Sequence, residues 1–291
     1  CPEPVSKPAT SHCIYVVSPL GYPGARCFDE VAESLHHGFA ALGIEAPIVR
    51  KPEDIQGTPI VLGANQIGKF IDTTPAALQL PANAIIYNLE QVDESSTWMD
   101  RTYLTLLRRY RVWDYSAANV EQLAKWGIVA DGICGIGHVA ALERIPVDGV
   151  KDIDVLFYGS LNERRMDVLE ALKARGLRVV VSTNLYGAGR DSLVARAKVV
   201  LNVHYYPAKV LEVVRLSYLM ANRCAVVSET GANPAEEAPF RDAIAFAAYD
   251  QLVQRCVALV DDPVQARLLA ERARSVMRSR PQSQFLAELL K

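Results

Sequence analysis

The stretch that decides the fold is residues 199–229, VVLNVHYYPAKVLEVVRLSYLMANRCAVVSE. It begins with a near-continuous apolar run, broken only by Asn202, which is typical of a parallel strand covered on both faces. Pro207 suits a first helical position, and the apolar residues of 208–221 predict a helix that is buried almost all round. A second apolar run at 225–228 predicts the next strand. This order predicts an α/β fold with a parallel sheet.

Three charged residues interrupt the predicted helix at intervals of three. Lys209, Glu212 and Arg215 would therefore share one narrow stripe of it. Because a charge on a buried helix needs a partner, the three either satisfy one another in a structural ion pair or serve a ligand. In the second interpretation Glu212 accepts hydrogen bonds from ligand hydroxyls near His204, at the carboxyl end of the preceding strand.

This segment resembles the donor-binding core of GT-B glycosyltransferases, in particular the group 1 set that includes spore-maturation-like proteins. The close match is EVVRLSYLMANRCAVVSE at 212–229. The family often places two glutamates here with seven residues between them, and Glu212 occupies the second position, so the resemblance implies that it holds the ribose of a nucleotide sugar. His204 stands at the first position. We predict that His204 contacts the transferred sugar or the leaving phosphate, with a hydrogen-bonded rim histidine as the alternative.

Length and composition agree with two Rossmann-like lobes that face a cleft, as in the GT-B architecture. The chain has 291 residues, of which 50% are hydrophobic, and this is enough for two cores. Pro, Gly and charge interrupt two apolar regions at 145–153. We therefore predict an acceptor-side domain at 1–148 and a nucleotide-sugar donor domain at 149–291.

Charge and hydropathy exclude several classes of partner. The formal net charge is −2, from 31 basic and 33 acidic residues that are dispersed along the chain, so we predict no nucleic-acid partner. No apolar run reaches the ~18 residues of a membrane helix, and no signal-peptide pattern is visible, so we predict no membrane span. The 6 cysteines lack metal-ligand spacing and suit reduced thiols, which favours a cytoplasmic protein.

The first half alternates apolar runs with helical patterns, which predicts another parallel sheet. The predicted strands lie at 13–18, 58–64, 83–90 and 111–116, and the predicted helices at 28–42, 97–110 and 118–126. The glycines of GICGIGH at 132–138 are in the wrong order for a dinucleotide fingerprint.

A predicted strand, turn and helix N-terminus at the start of the second half form the geometry of an anion site. Asn162 is a competent N-cap, and free N–H groups at this end favour a phosphate. Arg164 and Arg165 run against the helix dipole at a cost of about 0.3–1 kcal/mol each, so they either serve an anion or lie in solvent. Group 1 enzymes show a Gly-Arg-Leu turn followed by a lysine. The resemblance therefore implies that Ser160, in that turn, and Arg165, at the lysine position, face the donor diphosphate, with Arg164 as second candidate.

Further donor contacts are expected from Lys209 and from two loops. Tyr186 and Gly187 lie in the loop 183–192, which in the family approaches the nucleotide base through backbone groups. Glu229 and Thr230 follow the second strand of the opening segment and are predicted to touch sugar or phosphate.

The resemblance implies a glycosyltransferase that moves a sugar from a nucleotide diphosphate to an acceptor of unknown class: glycan, protein or small molecule. We predict no metal and no cofactor, because Asp152 and Asp154, although spaced as in a metal motif of another fold, precede a strand instead of ending one. Arg165 then neutralises the leaving phosphates. Glu90, at a strand's carboxyl end, is the leading candidate for a base, ahead of His138 and Asp29.

Two other functions stay open at the level of sequence. The chain could be a non-catalytic nucleotide-sugar-binding module, since the first glutamate and the turn arginine of the family are both absent. The second open function is that of a nicotinamide-dependent oxidoreductase, although the expected glycine fingerprint after the first strand is missing.

Overall fold

Two parallel β-sheets, built from successive halves of the chain, form two lobes. The computed structural model describes residues 11–70 and 80–291. Within these ranges the first sheet contains β1 (His12–Val16), β2 (Ile48–Val49), β3 (Thr58–Leu62), β4 (Ile85–Asn88), β5 (Arg111–Asp114) and β6 (Gly132–Ile133). The second sheet contains β7 (Ile153–Tyr158), β8 (Val179–Ser182), β9 (Ala197–Asn202), β10 (Val226–Glu229) and β11 (Ala245–Ala247). Their spatial orders are β2-β1-β3-β4-β5-β6 and β11-β10-β9-β7-β8. The predicted α/β class is confirmed.

Helices cover the faces of the sheets. Those of the first half are α1 (Asp29–Ala41), α2 (Ile67–Phe70), α3 (Arg101–Arg109) and α4 (Ala117–Lys125). Those that follow are α5 (Glu163–Ala174), α6 (Gly187–Arg196), α7 (Val213–Ala221), α8 (Pro234–Glu237), α9 (Leu252–Asp261), α10 (Pro263–Arg278) and α11 (Gln282–Leu289). Over the described residues, no helix is long and apolar enough to cross a membrane.

The strands are apolar along their whole length because both of their faces are covered. In β7, Val155 and Phe157 pack in one hydrophobic cluster, and Ile153 and Leu156 pack in another. All four are at most 2% exposed. Burial of such side chains stabilises the fold by about 1.5–3 kcal/mol each, so these strands anchor the lobe whose turns form the site.

The helix predicted over 208–221 is shorter in the structure, because α7 begins only at Val213. Lys209 has a left-handed backbone, with φ 45°, and its N–H donates to Tyr206 O at 3.1 Å in a turn. The apolar residues that suggested a longer helix are buried in a loop: Val210 packs in the core of the first lobe and Leu211 in that of the second. The predicted stripe of three charges on one helix is therefore wrong.

The last helix returns to the first lobe, where α11 packs against α1. A Cβ at Gly38 in α1 would lie 2.8 Å from Gln282 Cγ, so the two helices approach closely. The chain thus passes between the lobes twice. The two passages are hydrogen-bonded to each other, since His138 N donates to Arg280 O at 2.8 Å and Gln282 N donates to His138 O at 3.0 Å.

The glycine-rich run at 132–138 receives this returning segment. A Cβ at Gly135 would lie 2.5 Å from Phe285 Cε1, and one at Gly137 would lie 2.6 Å from the backbone of Gln282. Side chains at either position would displace α11. The motif is therefore explained by close packing. Val139, which follows it, already packs in the core of the second lobe.

Candidate functional site

A cleft of about 460 Å³ lies between the lobes. The first lobe contributes Glu90, which follows β4, and the second contributes Gly159 and Ser160, which follow β7. The carboxyl ends of the two sheets therefore meet across it, and this is where open α/β sheets bind ligands. Four of the predicted site residues line the cleft: Glu90, Ser160, Tyr186 and Glu212.

Glu212 stands immediately before α7, and its carboxylate is shared by two arginines. Its Oε1 accepts from Arg165 Nη2 at 3.1 Å, and its Oε2 lies 3.5 Å from Arg215 Nη1. The Glu212 side chain is 12% exposed, so one edge of it still reaches the cleft that it lines. The interpretation as a structural ion pair therefore holds for Glu212 and Arg215, whereas a hydrogen bond from a ligand hydroxyl to Glu212 stays a prediction.

Arg165 lies behind this wall and does not line the cleft. The residue is 3% exposed. Its guanidinium donates to Val203 O and Ser160 O, each at 2.8 Å, as well as to Glu212. The ring of Tyr205 packs beside it, with the guanidinium carbon 5.1 Å from the ring centroid. The structure thus shows Arg165 holding the turn and Glu212 in place, whereas direct contact with a phosphate stays a prediction.

Arg215 is the cation of α7 that does line the cleft. Its Nη1 donates to Asn202 Oδ1 at 3.3 Å, and its guanidinium carbon lies 5.1 Å from the ring centroid of Tyr158. Gly159, with φ 133°, makes room for it, because a Cβ there would lie 2.7 Å from Arg215 Nη2. Among the described residues no hydrogen bond reaches this Nη2, which leaves it available to an anion. The sequence interpretation placed Arg215 in the charged stripe but not in the site.

Glu229 is the centre of a second charged cluster, outside the cleft lining. The residue is 1% exposed, and its carboxylate accepts from Arg164 at 2.5 and 2.7 Å and from Lys209 Nζ at 2.9 Å. Burial alone would raise the pKa of Glu229, but these hydrogen bonds outweigh it and lower the pKa to about 2. We predicted that Arg164, Lys209 and Glu229 contact the donor. In the structure these three charged groups are instead paired with one another. Thr230, next in the chain, donates its N–H to Ala247 O at 2.9 Å.

His204 is fully buried beside this cluster. Its backbone N–H donates to Glu229 Oε2 at 3.1 Å, but neither of its ring nitrogens has a hydrogen-bond partner among the described residues. Burial lowers the pKa of the imidazole and keeps it neutral at pH 7. The alternative of a hydrogen-bonded histidine on the rim is therefore wrong, and a contact with the transferred sugar stays a prediction.

Asn162 and Gly187 stand at the N-termini of α5 and α6, two helix ends near the cleft. Asn162 caps α5, as predicted, by accepting from Arg165 N at 3.0 Å, and its Nδ2 donates to Tyr205 O at 3.3 Å. The loop predicted over 183–192 is shorter, because α6 begins at Gly187 with Tyr186 before it. A Cβ at Gly187 would meet Arg26 of the first lobe, so this helix end is closely covered.

Arg190, which the sequence interpretation did not single out, ties the two lobes beside the cleft. Its Nη2 donates to Glu30 Oε1 in α1 at 2.8 Å and to Asp191 Oδ1 at 2.8 Å. Burial opposes ionisation, but the bond to Glu30 outweighs it and raises the pKa of Arg190, which stays charged. This buried ion pair fixes the distance between the walls next to Tyr218, over which Arg190 packs.

Glu90 provides a titratable carboxyl on the first-lobe wall. It is half-buried, and its Oε1 accepts from Asn65 Nδ2 at 3.1 Å. Burial raises the pKa of Glu90 to about 7, although the Asn65 hydrogen bond and nearby Lys69 act in the opposite direction. A group with a pKa near the working pH is suited to accept a proton in a reaction.

The backbone of Glu90 is fixed by a buried polar network. Its carbonyl accepts from Asn88 Nδ2 at 2.9 Å and from Asn119 Nδ2 at 3.0 Å. Both amides also donate to the fully buried Asp114, at 2.7 and 3.0 Å. Burial raises the pKa of Asp114 to about 7, with these hydrogen bonds acting in the opposite direction. The other two candidate bases are paired elsewhere: Asp29 with Arg50 at 2.7 Å and His138 with Glu143 at 2.7 Å.

Within the described ranges, no three His, Cys, Asp or Glu residues come together in an arrangement that could hold a metal ion. The two aspartates with metal-motif spacing are occupied by cations. Asp152 pairs with Arg196 at 2.6 Å and Asp154 with Lys198 at 2.7 Å. They lie at the start of β7, the opposite end of the strand from the cleft.

Sequence comparison finds relatives without an assigned activity. No family model matches the chain. The chain is 26% identical over 185 residues to the uncharacterized protein L137 of Acanthamoeba polyphaga mimivirus, and this covers 62% of the chain and 25% of L137. It is 29% identical over 123 residues to protein L138 of the same virus, 41% of the chain and 14% of L138. The chain therefore spans a quarter or less of these two relatives.

Several solved structures are similar over nearly the whole chain. HepE of Anabaena, in complex with UDP and glucose, has a TM-score of 0.64 at 13% identity, covering 97% of this chain and 99% of HepE. AviGT4, a glycosyltransferase involved in avilamycin A biosynthesis, has a TM-score of 0.58 at 16% identity, covering 96% and 98%. WaaG, a glycosyltransferase involved in lipopolysaccharide biosynthesis, has a TM-score of 0.59 at 12% identity, covering 95% and 98%. The chain therefore has the two-lobed GT-B fold of these glycosyltransferases.

Proposed function

We propose that this protein is a glycosyltransferase that binds a nucleoside diphosphate sugar in the interlobe cleft and moves the sugar to an acceptor without a metal. The observation that carries the proposal is the pairing of the two walls. An arginine, a glycine turn and a carboxylate line one wall, and a carboxyl with a pKa near 7 lines the other. HepE, which has the same fold, is known in complex with UDP-glucose. The finer resemblance to spore-maturation-like proteins stays a prediction.

The second-lobe wall is suited to the donor. The diphosphate lies at the turn of Gly159 and Ser160, where Arg215 meets the negative charge that develops on the leaving group. Glu212 accepts hydrogen bonds from the ribose, and Tyr186 borders the base. Arg165 acts indirectly, because it holds both Ser160 and Glu212 in position.

The first-lobe wall is suited to the acceptor. The acceptor oxygen attacks the anomeric carbon of the sugar while the bond from that carbon to the diphosphate oxygen breaks. The acceptor proton passes to Glu90, which is ionised in about half of the molecules at a pH equal to its pKa. If instead the leaving phosphate takes the proton, Glu90 orients the acceptor hydroxyl. Replacement of Glu90 separates these two roles.

A panel of nucleoside diphosphate sugars tests the proposal, with thermal shift to report binding and nucleoside diphosphate release to report turnover. We expect one donor to raise the melting temperature and to release its diphosphate, and Arg215→Ala to weaken both effects. Arg175→Ala, at an exposed position of α5's carboxyl end, is the matched control. Binding without release would favour a non-catalytic module, and stabilisation by NAD would favour an oxidoreductase.

A further inference from the structure

Three aromatic side chains from separate segments of the first lobe come together near the cleft. The ring centroids of Tyr22 and Phe70 are 4.1 Å apart, with an interplanar angle of 18°. Trp98 lies beside both, with centroid distances of 6.5 Å to Tyr22 and 6.3 Å to Phe70. We call Tyr22, Phe70 and Trp98 the aromatic platform.

The platform is open to solvent and carries a cation. Phe70 is 45% exposed, and Tyr22 and Trp98 are partly exposed. Lys69 Nζ lies 4.2 Å from the centroid of the Trp98 ring, a cation–π contact. Stacked aromatic rings left in water cost free energy, and exposed apolar patches with a polar rim mark binding surfaces.

The platform is connected to the wall that carries Glu90. Phe70 ends the short helix α2, which follows Asn65, and Asn65 donates to Glu90 Oε1. On the other side, Trp98 N donates to Ser96 Oγ at 3.3 Å, and the Ser96 side chain lies close enough to Tyr206, which lines the cleft, to affect its pKa. The rings therefore adjoin the place where an acceptor hydroxyl would meet Glu90.

A hydrogen-bond acceptor without a partner lies at the same place. Gln91 follows Glu90, lines the cleft and is 8% exposed. Its side-chain oxygen is buried with no hydrogen-bond partner among the described residues. An amide oxygen left unpaired in this way costs about 1–3 kcal/mol. Rotation of the Gln91 amide toward the cleft that the residue lines would let a ligand hydroxyl donate to the oxygen and recover that cost.

We propose that the aromatic platform binds the acceptor, and that this acceptor is a carbohydrate whose ring stacks on the platform while its hydroxyls reach Glu90 and Gln91. A pyranose ring has an apolar C–H face, which packs on aromatic rings, and a rim of hydroxyls, which requires acceptors. The platform supplies the aromatic rings, and Glu90 and Gln91 supply the hydrogen-bond acceptors. An alkyl chain would leave the Gln91 oxygen unpaired. This inference rests on the proposed function.

Acceptor kinetics with defined probes test the inference. The saccharide probes are 4-nitrophenyl α- and β-glycosides of the common hexoses and N-acetylhexosamines. The comparison probes are 1-octanol and a serine- and threonine-containing peptide. Sugar transfer is measured for the wild type, Phe70→Ala and Trp98→Leu, with Val129→Ala as control at a residue that is 83% exposed and outside the cleft lining. Donor hydrolysis without acceptor is measured for each variant.

We expect a glycoside to be glycosylated, and each platform variant to raise its KM about tenfold, the effect of losing one aromatic contact. Donor hydrolysis should be unchanged in both variants, and Val129→Ala should match the wild type. Three results overturn the inference: transfer to octanol or peptide but to no glycoside, glycoside transfer with an unchanged KM in both variants, or donor hydrolysis with no transfer to any probe. Failure of the wild type to bind or hydrolyse any donor would instead overturn the proposed function itself.

Discussion

The two walls of the cleft are built on different principles. On the second-lobe wall, Ser160 and Glu212 are both bonded to Arg165 behind it, and Arg215 Nη2 has no hydrogen bond among the described residues. On the first-lobe wall, Glu90 has a raised pKa, Gln91 has an unpaired oxygen and aromatic rings are exposed. The comparison teaches that the proposed donor side is held by its own ion pairs and hydrogen bonds, whereas the proposed acceptor side has polar and apolar groups that a ligand would satisfy.

The largest effect should come from Glu90→Gln, which keeps the size of the side chain and its contact with Asn65. If Glu90 accepts the proton, turnover falls by about 10²- to 10⁴-fold with donor affinity unchanged. The wild-type rate rises with pH through about 7, the pKa of Glu90, and this rise is lost in the variant. Steady-state rates from pH 5 to 9 measure both.

A turnover in Glu90→Gln within threefold of the wild type, with the same pH profile, would remove Glu90 as the base. The first-lobe wall would then only bind the acceptor. Glu94→Gln, a change of an exposed carboxylate nearby in the chain, controls for the loss of charge.

Behind the opposite wall, Arg165→Met should mainly lower stability. It leaves the Glu212 carboxylate without its closest cation and two carbonyl groups without donors, and breaking a buried ion pair in this way costs about 3–5 kcal/mol. Urea denaturation measures the change in the free energy of unfolding. A stable Arg165→Met variant that lost only turnover would show instead that Arg165 serves the reaction and not the stability of the fold.

Arg215→Ala should have a smaller effect, and one confined to the donor. Loss of a charge-assisted hydrogen bond of about 1.5–3 kcal/mol predicts roughly 10- to 150-fold weaker donor binding, with stability little changed. Calorimetry with the nucleoside diphosphate and with the intact donor measures it. Equal affinity in Arg215→Ala and wild type would place the diphosphate away from the Gly159 turn.

The smallest effect is expected in the dependence of stability on pH. Glu90 and Asp114 have pKa values of about 7 in the folded protein, above those of ordinary carboxyls, because burial disfavours their charged forms. Their neutral forms stabilise the fold fully below the pKa of the unfolded chain, and this contribution is lost as pH rises to about 7. The free energy of unfolding should fall from about pH 4 to 7, and less so in Asp114→Asn. A flat profile over this range in the wild type would contradict the raised pKa values.

Much of the fold could be predicted from local patterns. Apolar runs gave the positions of β4, β7 and β9, and so the strand ends after which Glu90 and Gly159 stand. The N-cap at Asn162 is a local signal as well, since it needs only one side chain and the following turn. The edge of each sheet at which a ligand would bind could therefore be predicted from the strand positions and the N-cap alone.

The errors come from groups whose partners are distant in sequence. Val210 and Leu211 look helical, but they are buried in the cores of two different lobes, and no local pattern reveals this. In the sequence, Arg165 looks like a charge that faces solvent. In the structure it is buried and donates to the carbonyl of Val203 and the carboxylate of Glu212. The aromatic platform joins residues 22, 70 and 98, so only the folded chain brings its rings together.

The hydrogen-bonded pair of passages at His138 and Arg280 has a mechanical consequence. Because both crossings run side by side, they behave as one short ribbon, and the simplest large motion of the halves is a bend across it. Any large movement of the halves would also have to break the ion pair of Arg190 with Glu30, which joins them beside the cleft. Opening of the cleft would therefore combine a bend at the ribbon with the loss of this ion pair, so the closed arrangement of the two surfaces is held by a bond that re-forms when they return.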